Sequence, residues 1–96
     1  MNSSSDPRDG FDLIEYPCDF VFKAMCRAHE QESAMCHISA IVEPQLAEGA
    51  LISIKTNASR TGKFESVTLT VRLANRDQLE SIYEIIAASP RVVMTL

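Results

Sequence analysis

A chain of 96 residues with 46% hydrophobic content suits one small domain that must commit most of its apolar residues to a single core. A net charge of −4 and a pI near 5.0 oppose binding driven by broad counterion release on nucleic acid, and no apolar run is long enough to span a membrane. Three cysteines, Cys18, Cys26 and Cys36, include no C-x-x-C pair and leave one unmatched, which argues for reduced thiols and against a disulfide framework.

The opening MNSSSDPRDG lacks both a basic start and an apolar run. It reads as a polar, disordered tail over residues 1–12 rather than a secretory signal, with one domain over 13–96 and the cytoplasm as the default location. Residues 19–28 alternate Phe20, Phe22, Ala24, Cys26 and Ala28 against Val21, Lys23, Met25 and Arg27, as a half-buried strand does, with the first set toward the core. Over 30–43, Ala34, Met35, Ile38, Ile41 and Val42 recur at helical spacing, and Pro44 disfavours helix at Glu43.

The β-branched run at 50–57 predicts a second strand. Residues 64–73, with Val67, Leu69, Val71 and Leu73 opposite Ser66, Thr68, Thr70 and Arg72, predict a third. ASRTGK between them reads as a hairpin loop turning near Gly62. Asn75 caps a second helix, with Gln78 three residues on and Leu79, Ile82, Tyr83 and Ile86 on one face. Ser89-Pro90 ends it, and RVVMTL forms a short last strand. The order strand, helix, strand, strand, helix, strand is the split βαβ pattern of a ferredoxin-like α+β sandwich: a four-stranded antiparallel sheet with both helices on one face. Phe20, Phe22, Val67, Leu69 and Val71 are expected to pack against Ile38, Ile41, Leu79, Ile82 and Ile86.

The stretch AMCRAHEQESAMCH, residues 24–37, gathers two Met, two Cys and two His, donors that Cu(I) or Zn(II) select. On the predicted elements they diverge. Cys26 faces the core and Met25 the opposite side of the strand. Cys36 lies about 100° round the helix from Met35, and His29 and His37 stand on the order of 10 Å apart. No metal and no cofactor are expected. A nucleophilic role is disfavoured because Cys26 has no facing base and Cys36, beside His37, points into water. The connection RAHEQES has Arg27 but no glycine, and its two glutamates repel a phosphate, against a small phosphatase of this fold.

The open sheet face carries no expected aromatic on Lys23, Met25, Arg27, Ser66, Thr68, Thr70 or Arg72, so the stacking platform of RNA-recognition sheets is not predicted. Lys23, Met25, Arg27, Thr68, Thr70 and Arg72 are instead the candidate binding face, a cationic, hydroxyl-rich surface suited to a small anionic effector or an acidic partner protein.

Several stretches resemble one family. Tyr16-Pro17 leads into Phe20-x-Phe22-Lys23-x-Met25, SRTGKFESVTLTV places Gly62, Lys63, Phe64, Ser66 and Thr68, and DQLESIY with VVMTL adds Gln78, Leu79, Ile82, Tyr83 and Leu96. From Ile14 onward the chain resembles the YbeD-like family of small bacterial proteins of unknown function, whose fold is similar to the ACT regulatory domain. Family members commonly have Gly after the strand-one Met, where this chain has Cys26. The resemblance implies a non-enzymatic regulatory or protein-interaction module linked to lipoate metabolism. ACT-like domains bind effectors at subunit interfaces, which implies a homo-oligomer. The alternative is a small-ligand-binding subunit or small hydrolase of ferredoxin-like fold.

Overall fold

The computed structural model describes residues 14–28 and 31–95. The elements are β1 (Cys18–Arg27), α1 (Ala34–Val42), β2 (Leu51–Ala58), β3 (Phe64–Leu73), α2 (Arg76–Ala88) and β4 (Val92–Thr95), with a 3-10 turn over Glu43–Gln45 after α1. The tail expected over 1–12 and the position of His29 lie outside the described residues.

β1 and β3, the two strands with the cleanest alternation, pair antiparallel over ten consecutive residues, from Cys18 opposite Leu73 to Arg27 opposite Phe64. They form the centre of a sheet ordered β2-β3-β1-β4, the ferredoxin-like arrangement. Gly62, with φ +76°, supplies the left-handed residue of the β2–β3 hairpin, where the Gly62 amide donates to the Ser59 carbonyl at 3.0 Å. Among the described residues β4 is short and pairs with β1 from Ala24 to Cys26, with Val93 as an extra residue bulged between Met94, opposite Met25, and Val92, opposite Cys26.

Helix α1 begins at Ala34, the first residue of its apolar stripe and four residues after the start of the 30–43 span read as helical. Ser33, extended at φ −69° and ψ 151°, accepts the Cys36 amide on Oγ at 3.1 Å, a capping arrangement that fixes the start at Ala34. The stretch before it is drawn toward β4, as described below. Helix α2 is capped as expected: Asn75 Oδ1 accepts the Gln78 amide at 2.9 Å. Gln78 Oε1 in return accepts from Ala74, one residue before the cap, and its Nε2 donates to the Gln45 carbonyl at 3.0 Å, tying α2 to the turn that leaves α1.

The core lies between the helices and one sheet face. Phe22, Ala24 and Cys26 from β1 and Val67, Leu69, Val71 and Leu73 from β3 are buried with Ala34, Ile38 and Val42 from α1 and Leu79, Ile82 and Ile86 from α2. Each large side chain so buried contributes roughly 1.5–3 kcal/mol, so these residues dominate the stability of a chain this size. Phe20 and Ile41, expected in the core, are half-buried at its margin. Phe20 lies tilted against Phe22, ring centroids 4.8 Å apart, and Phe22 meets Tyr83 edge-on at 4.9 Å. Burial raises the Tyr83 hydroxyl pKa.

Candidate functional site

Two regions carry chemistry, and the sequence pointed to only one of them. The first is the sheet face away from the helices. Strand register sets its side chains in rows: Asp19 beside Arg72, Val21 beside Thr70 and Ser53, Lys23 beside Thr68 and Lys55, and Arg27 beside Phe64. A further row runs Met94, Met25, Ser66, Asn57 from β4 to β2. All six candidate residues, Lys23, Met25, Arg27, Thr68, Thr70 and Arg72, therefore share one surface. The rows add Lys55 and Met94, which the sequence reading missed because placing them needs the register of β2 and β4. Phe64 corrects the expectation of a face without aromatics: it stands opposite Arg27 on an outward position, half-buried.

The electrostatics of this face oppose those of the chain. Lys23, Arg27, Lys55 and Arg72 face outward against one carboxylate, Asp19, which pairs with Arg72 at 3.2 Å. The face is thus net cationic on a chain of net charge −4, whose helix α2 carries Asp77, Glu80 and Glu84. Val21 and Met94, 55% and 49% exposed, add apolar contact area between the cations. Arg27 is partly committed, since its guanidinium donates to the Pro90 carbonyl at 3.3 Å.

The second region gathers where β4, the end of β1 and the start of α1 meet. Its centre is Arg91, a residue without a sequence motif. Its side chain is only 11% exposed. Arg91 Nε donates to the Arg27 carbonyl at 2.8 Å and another guanidinium nitrogen to the Ser33 carbonyl at 3.3 Å. Glu32 and Glu65 lie 3.7 and 3.8 Å from the guanidinium on either side. Glu65 also accepts the Ala34 amide at 3.4 Å, so the chain's own carboxylate occupies the N-terminal end of α1, where a phosphate would bind in a phosphatase of this fold. His37 closes the group: its Nε2 is 2.7 Å from Ser89 Oγ and its Nδ1 3.4 Å from Glu32. His37 is thus held in this corner rather than free in solvent, a placement only the fold determines.

Cys26 lies fully buried under this corner. Burial raises its thiol pKa, nearby Glu65 adds to the effect and Arg91 opposes it, so the thiol stays protonated and poorly nucleophilic. The Met and Cys donors of AMCRAHEQESAMCH diverge as expected: Cys26 is buried, Met25 lies in the outward row and Cys36 is exposed. Met35 corrects the expected helix stripe. It is half-buried and, with Cys36, Ser39, Ala40, Pro44 and Ile54, lines an open groove of about 660 Å³ between α1 and β2. Among the described residues, no three His, Cys, Asp or Glu side chains are grouped to hold a metal ion, and no helix is long and apolar enough to cross a membrane.

Fold and site together define a ferredoxin-like α+β module with a cationic, exposed sheet face and an internally neutralised arginine corner. The family model described as a protein of unknown function, DUF493, matches residues 12–96, and the chain belongs to that family. It is 35% identical over 95 residues to a UPF0250 protein of Janthinobacterium sp. (strain Marseille), covering 98% of this chain and 99% of that protein. A UPF0250 protein of Nitrosomonas europaea is 33% identical over 84 residues, covering 88% of this chain and 94% of its own. The solution structure of protein HP0495 from H. pylori matches the fold with a TM-score of 0.70 at 21% identity, covering all of this chain and 97% of that one.

Proposed function

We propose that this chain is a non-catalytic regulatory module that binds an acidic segment of a partner protein on its open sheet face, through Lys23, Met25, Arg27, Thr68, Thr70 and Arg72 together with Lys55. The observation that carries this reading is the charge contrast: four outward cations against one paired carboxylate, on a chain of net charge −4. Such a contrast steers an anionic partner to one face and turns it away from the rest of the surface. A macromolecular partner is favoured over a small effector because the face is an open sheet with its cations spread over three strands. Concavities lie between α1 and β2 and at the β2 entry, and the one near Pro17 and Gln78 reaches this face at Arg72 alone. The link to lipoate metabolism implied by the family resemblance belongs to this reading and supplies the small-molecule comparison.

The test is a titration of the full chain with a glutamate-rich peptide and, separately, with lipoic acid, followed by amide shifts. The peptide shifts β1, β2 and β3 amides with an affinity that falls as salt rises. The double variant Lys23→Ala/Arg72→Ala and the single variant Lys55→Ala both weaken it. Shifts confined to the helices, or equal binding by wild type and variants, overturn the proposal. Saturable shifts with lipoic acid alone replace the partner protein by a small effector.

A further inference from the structure

The two sides of β1 on the open face differ in kind. Toward β3 and β2 the outward positions are polar: Arg72, Thr70, Thr68 and Ser66 on β3, with Lys55 beyond Thr68, and the aromatic Phe64 enters only in the last row, opposite Arg27. Toward β4 the outward neighbour of Met25 is Met94. β1 itself alternates along the seam, with Val21 and Met25 on either side of Lys23. Val21 and Met94 are 55% and 49% exposed, so apolar surface borders the cations on one flank while hydroxyls border them on the other. Asp19 sits at the far end beside Arg72 and offsets that cation, which leaves the row Lys23, Thr68, Lys55 as the cationic centre of the face.

We propose, on the footing of the partner binding above, that the acidic segment bound here is an amphipathic α-helix lying along β1, its apolar stripe on Val21, Met25 and Met94 and its carboxylates on the flank toward β3 and β2, at Lys23 and Lys55. Backbone chemistry selects the helix. An extended segment makes its hydrogen bonds at a strand edge, and laid on a sheet face it presses its amides and carbonyls against side chains that leave most of them unpaired. A helix satisfies those groups internally and offers one side for contact, which is how α1 and α2 cover the other face of the same sheet. The dimensions agree. Val21 and Met25, four residues apart on a strand, are about 13 Å apart. That is about two helical turns, so apolar residues at i and i+7 or i+8 meet both. Lys55, two strands from Lys23, stands about 10 Å to one side, within reach of a glutamate on the flank of a helix about 10 Å across. Methionine side chains, unbranched and polarizable, adapt to the partner's apolar residues. A segment that is acidic but has no apolar stripe gains only the charge contact, and exposed charge pairs contribute little each.

Probe peptides titrated into the full chain test it: a glutamate-leucine peptide of about four turns with leucine at stripe spacing, a scramble of the same composition without the stripe, and the glutamate-rich peptide of the partner-binding test. The striped peptide binds at least about tenfold more tightly than its scramble, a difference that one well-buried leucine supplies. Isotope-labelled striped peptide acquires helical carbon shifts on binding. Val21→Thr/Met94→Thr changes two exposed apolar positions and keeps strand-compatible side chains. It brings the striped peptide down to the affinity of the scramble and leaves binding of the glutamate-rich peptide unchanged. Neither the scramble comparison nor the carbon shifts require a variant to fold. Equal affinity of striped and scrambled peptides, a striped peptide bound in extended form, or amide shifts at the groove between α1 and β2 in place of the open face overturns the helix. The charge reading then stands if the glutamate-rich peptide still binds, and failure of every peptide overturns both. Shifts of the same face on raising protein concentration without peptide assign it to a second copy and overturn the helix as well.

Discussion

Arg72 on β3 and Arg91 in the turn that leads into β4 carry the same guanidinium and do opposite things. Arg72, its side chain 58% exposed, stands on the open face with one half-exposed partner, Asp19. Arg91, 11% exposed, is enclosed by two backbone carbonyls and two carboxylates. An exposed charge keeps its hydration and remains available to a partner. A buried one needs its own anions and acceptors, and once it has them it can only hold structure together. The comparison teaches that on this molecule the visible cations are the ones free to bind, while the best-coordinated one is a clasp between β4 and the start of α1.

The core between the two regions sets the scale for breaking that comparison. Leu69, fully buried on β3, is expected to cost about 2–5 kcal/mol as Leu69→Ala, a large part of a small domain's stability, read as a lower urea midpoint. Arg91→Ala follows at about 2 kcal/mol, because it strands Glu65 and two carbonyls near buried surface, while half-exposed Glu32 recovers water. The clasp reading requires that Glu65→Ala cost less in the Arg91→Ala background than in wild type. Additive losses in that double-mutant cycle refute the coupling.

Under the clasp, Cys26 makes a pH-dependent contribution. Its thiol holds its proton more tightly in the folded chain than in the unfolded one, so this stability is fully present below the pKa of an unfolded cysteine, about 8.5. It is lost as pH rises through the raised folded value. Urea midpoints are therefore expected to fall on the alkaline side. Cys26→Ala flattens the first part of that fall and leaves a later part from Tyr83, whose pKa is raised in the same direction. An identical alkaline profile in the variant assigns the loss elsewhere.

The smallest expected effect is on the open face. Lys23→Ala/Arg72→Ala changes stability by no more than about 0.5 kcal/mol while weakening binding of a glutamate-rich peptide. A loss on the scale of Arg91→Ala would erase the difference between the two regions.

What the sequence determined by itself was everything governed by local periodicity and turn chemistry. The alternation of β1 and β3, the Gly62 hairpin, the Asn75 cap and the apolar stripe of α2 each follow from residues a few positions apart, and they suffice for the order of elements, the sheet and the six residues of the candidate face. The start of α1 escaped because two signals compete there: the apolar stripe runs from Ala34, but nothing in the pattern says that Glu32 is engaged across space by Arg91 while Ser33 takes the cap. The tertiary structure alone decided the Arg91 corner, which joins residues up to 64 positions apart in the chain, and the addition of Lys55 and Met94 to the open face. The physical reason is the same in each case: periodicity fixes which way a side chain points from its own strand, whereas register, bulges and ion pairs between distant strands are settled only when the chain closes on itself.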